Sequence, residues 1–176
     1  MIRLWLGIGL VIFSGALWAE CALNSTQRSV EYSPVRPAER QQAGERPVTL
    51  PEKQIVLHVQ CDKPQRIRLF FGSAYAQNGN FAFGNRGEMQ VTAGQAVADE
   101  RGVRLSPVRV TGAPLVTEGE KSVPVVLNEG IAFVQGEEIA ASQFSVVLYV
   151  TSMMESHAIT DRVTYHGNLQ VRVVTP

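Results

Sequence analysis

The chain has 176 residues, and its 16 lysines and arginines are matched by 16 aspartates and glutamates, so its formal net charge is zero. No excess of either sign steers it toward nucleic acid or an anionic membrane surface. The length suffices for one domain with a proper hydrophobic core.

Residues 1–19, MIRLWLGIGLVIFSGALWA, set one basic residue, Arg3, before an apolar run that ends in small residues. That order of charge, apolar stretch and small residues is the layout of a secretory signal peptide. Cleavage after Ala19 leaves Glu20 alone before Cys21, and cleavage after Ala16 leaves Leu17 to Glu20. A membrane anchor is the alternative, but no basic stop-transfer cluster follows. Glu20 is too large for the position before a lipid-modified cysteine. Residues 20–176 are therefore read as one exported domain. Its two cysteines, Cys21 and Cys61, are expected to form a disulfide in an oxidising compartment, the alternative being two buried thiols. A closed loop of about 40 residues contributes roughly 4 kcal/mol in the chain-entropy model.

Leu23, Val30 and Tyr32 are the apolar members of a short first strand. Residues 33–52, SPVRPAERQQAGERPVTLPE, hold four prolines and little periodic apolar content, so they read as a surface connection. Its arginines Arg36, Arg40 and Arg46 are available to an acidic ligand. From Gln54 to Gly72 the chain alternates. Ile55, Leu57, Val59 and Cys61 mark one face of a strand, Asp62-Lys63-Pro64 breaks it, and Ile67, Leu69 and Phe71 restart it, which predicts a hairpin. Residues 73–87 are rich in Asn-Gly steps and read as turns or a ligand loop carrying Phe81 and Phe83.

Met89 and Val91 predict a further strand, and Val103, Leu105, Val108 and Val110 predict another, with Pro107 as a bend or edge marker. Val123, Val125 and Leu127, a turn at Asn128-Glu129-Gly130, then Ile131 and Phe133 predict a second hairpin. Phe144, Val146, Leu148 and Val150, with Val147 and Tyr149 between them, predict a central strand covered on both faces. Val163 and Tyr165 alternate, Gly167 and Asn168 bulge or turn, and Leu169, Val171 and Val173 alternate to the end. No stretch carries the 3.6-residue apolar stripe of a helix. Eight to ten short strands with turns between them predict an all-β sandwich.

Motifs for chemistry are missing. His58, His157 and His166 lack metal-ligand spacing, and there is no G-x-S-x-G, phosphate loop or H-E-x-x-H. Cys61 is expected to be paired and so is not free to act as a nucleophile. The reading is therefore a non-enzyme without cofactor or metal, the alternative being a hydrolase whose triad is assembled in space from scattered serines and carboxylates.

Several features together resemble the subunits of chaperone–usher pili and related pilin-like secreted proteins of Gram-negative bacteria. They are the signal-like start, Cys21 on the first strand, and Cys61 closing LPEKQIVLHVQC. D-K-P leading into RIRLFF, the segment FAFGNRGEMQV and the final GNLQVRVV complete the pattern. The resemblance implies an immunoglobulin-like sandwich that lacks one strand. It implies a groove lined by Leu169, Val171 and Val173, filled first by a periplasmic chaperone and then by a neighbouring subunit. It also implies delivery through an outer-membrane usher to the cell surface. The ending Val174-Thr175-Pro176 departs from the family's usual penultimate tyrosine. Four residues or fewer before Cys21 are too short for a donor strand, so the subunit is expected to accept a strand without donating one. That places it at a fibre tip, where a host or surface receptor is a partner by analogy. The alternative is a complete sandwich acting as a soluble periplasmic or secreted binding module.

Overall fold

The computed structural model describes residues 20–27, 29, 31–32, 46–77, 79–84, 86–110, 112–155 and 166–176. The region read as a signal peptide, residues 1–19, lies outside these, as do Val30, Arg36, Arg40, His157, Val163 and Tyr165. The described residues hold no helix. Their strands are β1 (Cys21–Ser25), β2 (Val48–Thr49), β3 (Lys53–Arg66), β4 (Arg68–Gly72), β5 (Ala76–Gln77), β6 (Asn80–Phe83) and β7 (Gly87–Ala98). β8 (Arg101–Gly102), β9 (Arg104–Val108), β10 (Ser122–Val125), β11 (Gly130–Val134), β12 (Ala140–Met154) and β13 (Gln170–Val174) follow.

They form two antiparallel sheets. The larger runs β1-β3-β12-β7-β6-β5, with β2 beside β12 and with β8 and β10 beside β7. The smaller runs β13-β4-β11-β9. The inner faces carry the expected alternation: Leu57, Val59 and Cys61 on β3 and Phe144, Val146, Leu148 and Val150 on β12 are buried in one core with Leu69, Phe71, Ile131 and Phe133. This is an all-β, immunoglobulin-like sandwich with one disulfide, joining Cys21 to Cys61. The two cysteines are direct cross-strand neighbours with a Cα–Cα distance of 4.1 Å.

Both predicted hairpins are instead crossings between sheets. β3 runs unbroken through Pro64 to Arg66, passes Ile67, and β4 then joins the opposite sheet. Pro64 is tolerated because the ladder to β12 skips it: Gln60 pairs with Gln143 and Gln65 with Ala141, so Cys61 to Pro64 form a bulge toward β12. The turn at Asn128 likewise leads from β10 in the larger sheet to β11 in the smaller. There Asn128 adopts φ 64°, and the backbone of the turn bonds Phe71 in both directions at 2.8 and 2.9 Å. The 33–52 connection is not loop throughout, since Val48 and Thr49 pair with β12 and Leu50 is buried. β12 is central, between β3 and β7, but Val147 and Tyr149 on its outer face are only half-buried. Pro107 does mark an edge: β9 is the last strand of its sheet.

β4 is buried on both faces because residues after β9 fold over its outer side. Phe70, Val108 and Ala132 form a small second core there, with Leu115 and Val174 against it. Within this cover Arg68 Nε and Nη2 donate to the two carboxylate oxygens of Glu138 at 2.8 and 3.0 Å, and both side chains are largely buried. The hydrogen bond to Glu138 raises the guanidinium pKa above its ordinary value, against the opposing effect of burial. Ser106 Oγ, fully buried, has no hydrogen-bond partner among the described residues.

Three stability measurements by chemical denaturation follow from this packing. Cys21→Ala is expected to lose roughly 4 kcal/mol, the chain-entropy value for a loop of that length. Glu138→Ala leaves the Arg68 charge buried without its partner and is expected to lose about 3–5 kcal/mol. Ser106→Ala removes an unsatisfied hydroxyl and is expected to be neutral or stabilising by about 1 kcal/mol; a clear loss would show that the hydroxyl is bonded.

Candidate functional site

The two lateral flanks of the sandwich differ. On one, the chain itself joins the sheets. Glu120 and Leu105 exchange both backbone hydrogen bonds at 2.8 Å, Val103 N–H donates to the Ala96 carbonyl at 2.9 Å, and the chain passes from there straight into β10. On the other flank the outermost strands are β1 and β13, and among the described residues neither pairs with anything on its outer side.

Between these two edges lies a cavity of about 490 Å³. One wall is β1 and the residues after it, with Leu23, Ser25 and Gln27; the opposite wall carries Leu169 and Val171. The floor is the core itself, including Ile55, Leu57, Leu148 and Val150. Parity explains the opening. Ile55, Leu169, Val171 and Val173 all face inward and pack against the core, yet each stays only half-buried because, among the described residues, no strand lies over the gap. One end is blind. Phe83 and Gly167 form a backbone bridge, and Gly84 N–H donates to the His166 carbonyl at 2.8 Å. A Cβ on Gly167 would meet the thioether end of Met89 and come within 3.2 Å of Phe83 Cδ2, so a larger residue here must push the Met89 side chain aside and press on the Phe83 ring.

Chemically, the groove offers two kinds of unmet demand along one line. Its floor is apolar, and each wall ends in a strand edge with backbone donors and acceptors. An extended peptide satisfies both at once, the first through alternate side chains and the second through main-chain hydrogen bonds. A cavity of about 150 Å³ holds one benzene-sized group, so this one has room for roughly three apolar side chains.

Among the expected site residues, Leu169 and Val171 line the groove, while Val173 packs on the core beyond it. Cys21 and Cys61 tie the rim strand β1 to β3. Phe81 and Phe83 are not displayed on a ligand loop. They lie on β6 with 2% and 5% exposure because that strand is paired to β7 and its aromatic rings enter the core. Phe83 nonetheless reaches the groove from its inner side. Arg46 is exposed at a bend before β2, and Arg36 and Arg40 fall outside the described residues, so no cationic cluster is formed by what is described. His58 and His166 are exposed, and His166 stands at the blind end of the groove. Tyr32, expected on the first strand, lies beyond the end of β1 and lines the groove instead.

No protein-family model matches the chain. The uncharacterized protein YhcE of Escherichia coli (strain K12) is 28% identical over 178 residues, which cover 98% of each chain. Among solved structures, the P pilus rod subunit PapA aligns with a TM-score of 0.48 and 7% sequence identity, over 90% of this chain and 99% of that one.

Gly167→Val is expected to cost about 1–3 kcal/mol through overpacking at the Met89–Phe83 contact. Thermal unfolding of the variant measures this; an unchanged midpoint would mean that Met89 moves aside without cost.

Proposed function

We propose that this protein is a fimbrial, pilin-like subunit whose working part is the groove between β1 and β13, and that it acts by accepting a β-strand from another protein rather than by catalysis. One observation carries the reading: half-buried Ile55 of β3 and the half-buried inner face of β13 border a cavity of about 490 Å³ flanked by two strand edges that are unpaired among the described residues. A small apolar ligand fills the floor but leaves the edges unpaired, whereas a strand meets both needs. Three buried apolar side chains contribute on the order of 5–9 kcal/mol before the cost of ordering the incoming segment.

In this reading the first occupant is a periplasmic chaperone and the lasting one a neighbouring subunit, with an outer-membrane usher as the route to the surface. These partners rest on the sequence resemblance, as does export. The subunit is further proposed to accept without donating and so to stand at a fibre tip, with a receptor as its adhesive target. That step rests on removal of the signal-like segment just before Cys21, which N-terminal sequencing of the exported protein checks. The open flank weighs against the other reading, a complete soluble binding module, because such a sandwich has no gap in its core.

The test is expression in a Gram-negative periplasm with and without a chaperone of the pilus-assembly class. Alone, the chain is expected to aggregate or be degraded. With the chaperone it is expected to be recovered as a one-to-one complex. A chain that accumulates in the periplasm as a soluble monomer equally well with and without the chaperone would sink the proposal.

A further inference from the structure

We infer that Tyr32 is the end-stop of the groove and thereby fixes the register and length of the strand it accepts. This deepens the proposed function and rests on it. Tyr32 belongs to no strand, yet it is held from three others. Its hydroxyl lies 3.2 Å from Ser152 Oγ on β12, its ring meets Phe83 of β6 edge-on at 5.9 Å and 80°, and Lys53 Nζ of β3 sits 5.6 Å from the ring centroid. Ser152 is itself fully buried, so the tyrosine hydroxyl is the partner that satisfies a polar atom in the core wall. The aromatic pair adds orientation to the contact.

The placement along the groove matters. Leu148, Val150 and Ser152 are successive inward positions of β12, and all three line the cavity. A strand laid along the free edge of β13 sets successive inward side chains over this row. Its side chains cover Leu148 and Val150, and the next one in register arrives over Ser152, where Tyr32 already stands. To seat there it must expel the ring, which leaves the Ser152 hydroxyl unsatisfied and uncovers Phe83. The Phe83–Gly167 bridge closes the way beyond. An incoming strand therefore stops at Tyr32, and a longer alternating segment gains nothing from its extra apolar residue.

The experiment uses the full disulfide-bonded chain, refolded from denaturant in the presence of fluorescently labelled synthetic peptides, with binding read by anisotropy. One peptide carries three apolar residues at alternating positions. Two others carry a fourth in the same alternation, added at one end or the other. Wild type is expected to bind all three peptides within about twofold. Tyr32→Ala is expected to bind one of the four-residue peptides about tenfold more tightly than the three-residue one, the gain for burying one further apolar side chain. Tyr32→Phe retains the ring and is expected to behave like wild type.

A wild type that itself gains about tenfold from the fourth residue overturns the end-stop, and this arm stands even if Tyr32→Ala does not fold. Equal binding of all three peptides by a folded Tyr32→Ala overturns it too. Both results leave the groove as a strand acceptor. If no peptide binds either protein, the strand-acceptor reading itself fails and the end-stop falls with it.

Discussion

A buried peptide group needs a hydrogen-bond partner, and an apolar core needs a cover; on one flank of this sandwich the described chain provides neither. The rest of the molecule is arranged around that shortfall. On the opposite flank the chain closes the gap itself: Glu120 bonds the edge of β9 in both directions and leads into β10, and Val103 bonds Ala96 of β7. No comparable crossing spans β1 and β13 among the described residues. The difference between the flanks is one of backbone supply. The inward side chains bordering the gap are apolar, and among the described residues no strand lies over them.

Much of this was legible in the sequence because period-2 alternation reports which side chains face a core. Leu57, Val59 and Cys61 on β3 and the Phe144–Val150 row on β12 are buried as their parity requires. The cysteine pair is legible from there being two cysteines in a chain with a signal-like start. The outward-facing residues of β13, Gln170 and Arg172, are exposed, and its inward ones border the gap. Alternation says nothing, however, about which sheet a strand joins. Two segments separated by a short turn look alike whether they pair with each other or cross to opposite sheets. The crossings at Ile67 and Asn128 both fall where alternation predicts a hairpin, the first with its turn at Asp62-Lys63-Pro64. Pro64 reinforces that expectation, since a ladder that steps over four residues cannot be distinguished locally from a ladder that ends.

Other parts were hidden because they depend on segments distant in the chain. Phe81 and Phe83 sit among Asn-Gly steps that signal turns, but pairing with β7 pulls their rings inward. Arg68 falls on the parity of a solvated residue. It is buried only because the loop after β9 covers it, with Glu138 meeting its charge and the Ala113 carbonyl 3.5 Å from Nη1. Tyr32 could be recognised as apolar and aromatic, yet its contacts on β3, β6 and β12 are long-range and leave no trace in local spacing.

The disulfide carries a consequence for the margin of the groove. It fastens β1, one of the two lips of the opening, directly to β3. With both thiols reduced, that lip is a five-residue ladder at the margin of a sheet, the kind of element that frays first. The bond turns a fraying margin into a fixed jamb, so that under the proposed function an arriving chain meets a doorway of definite width.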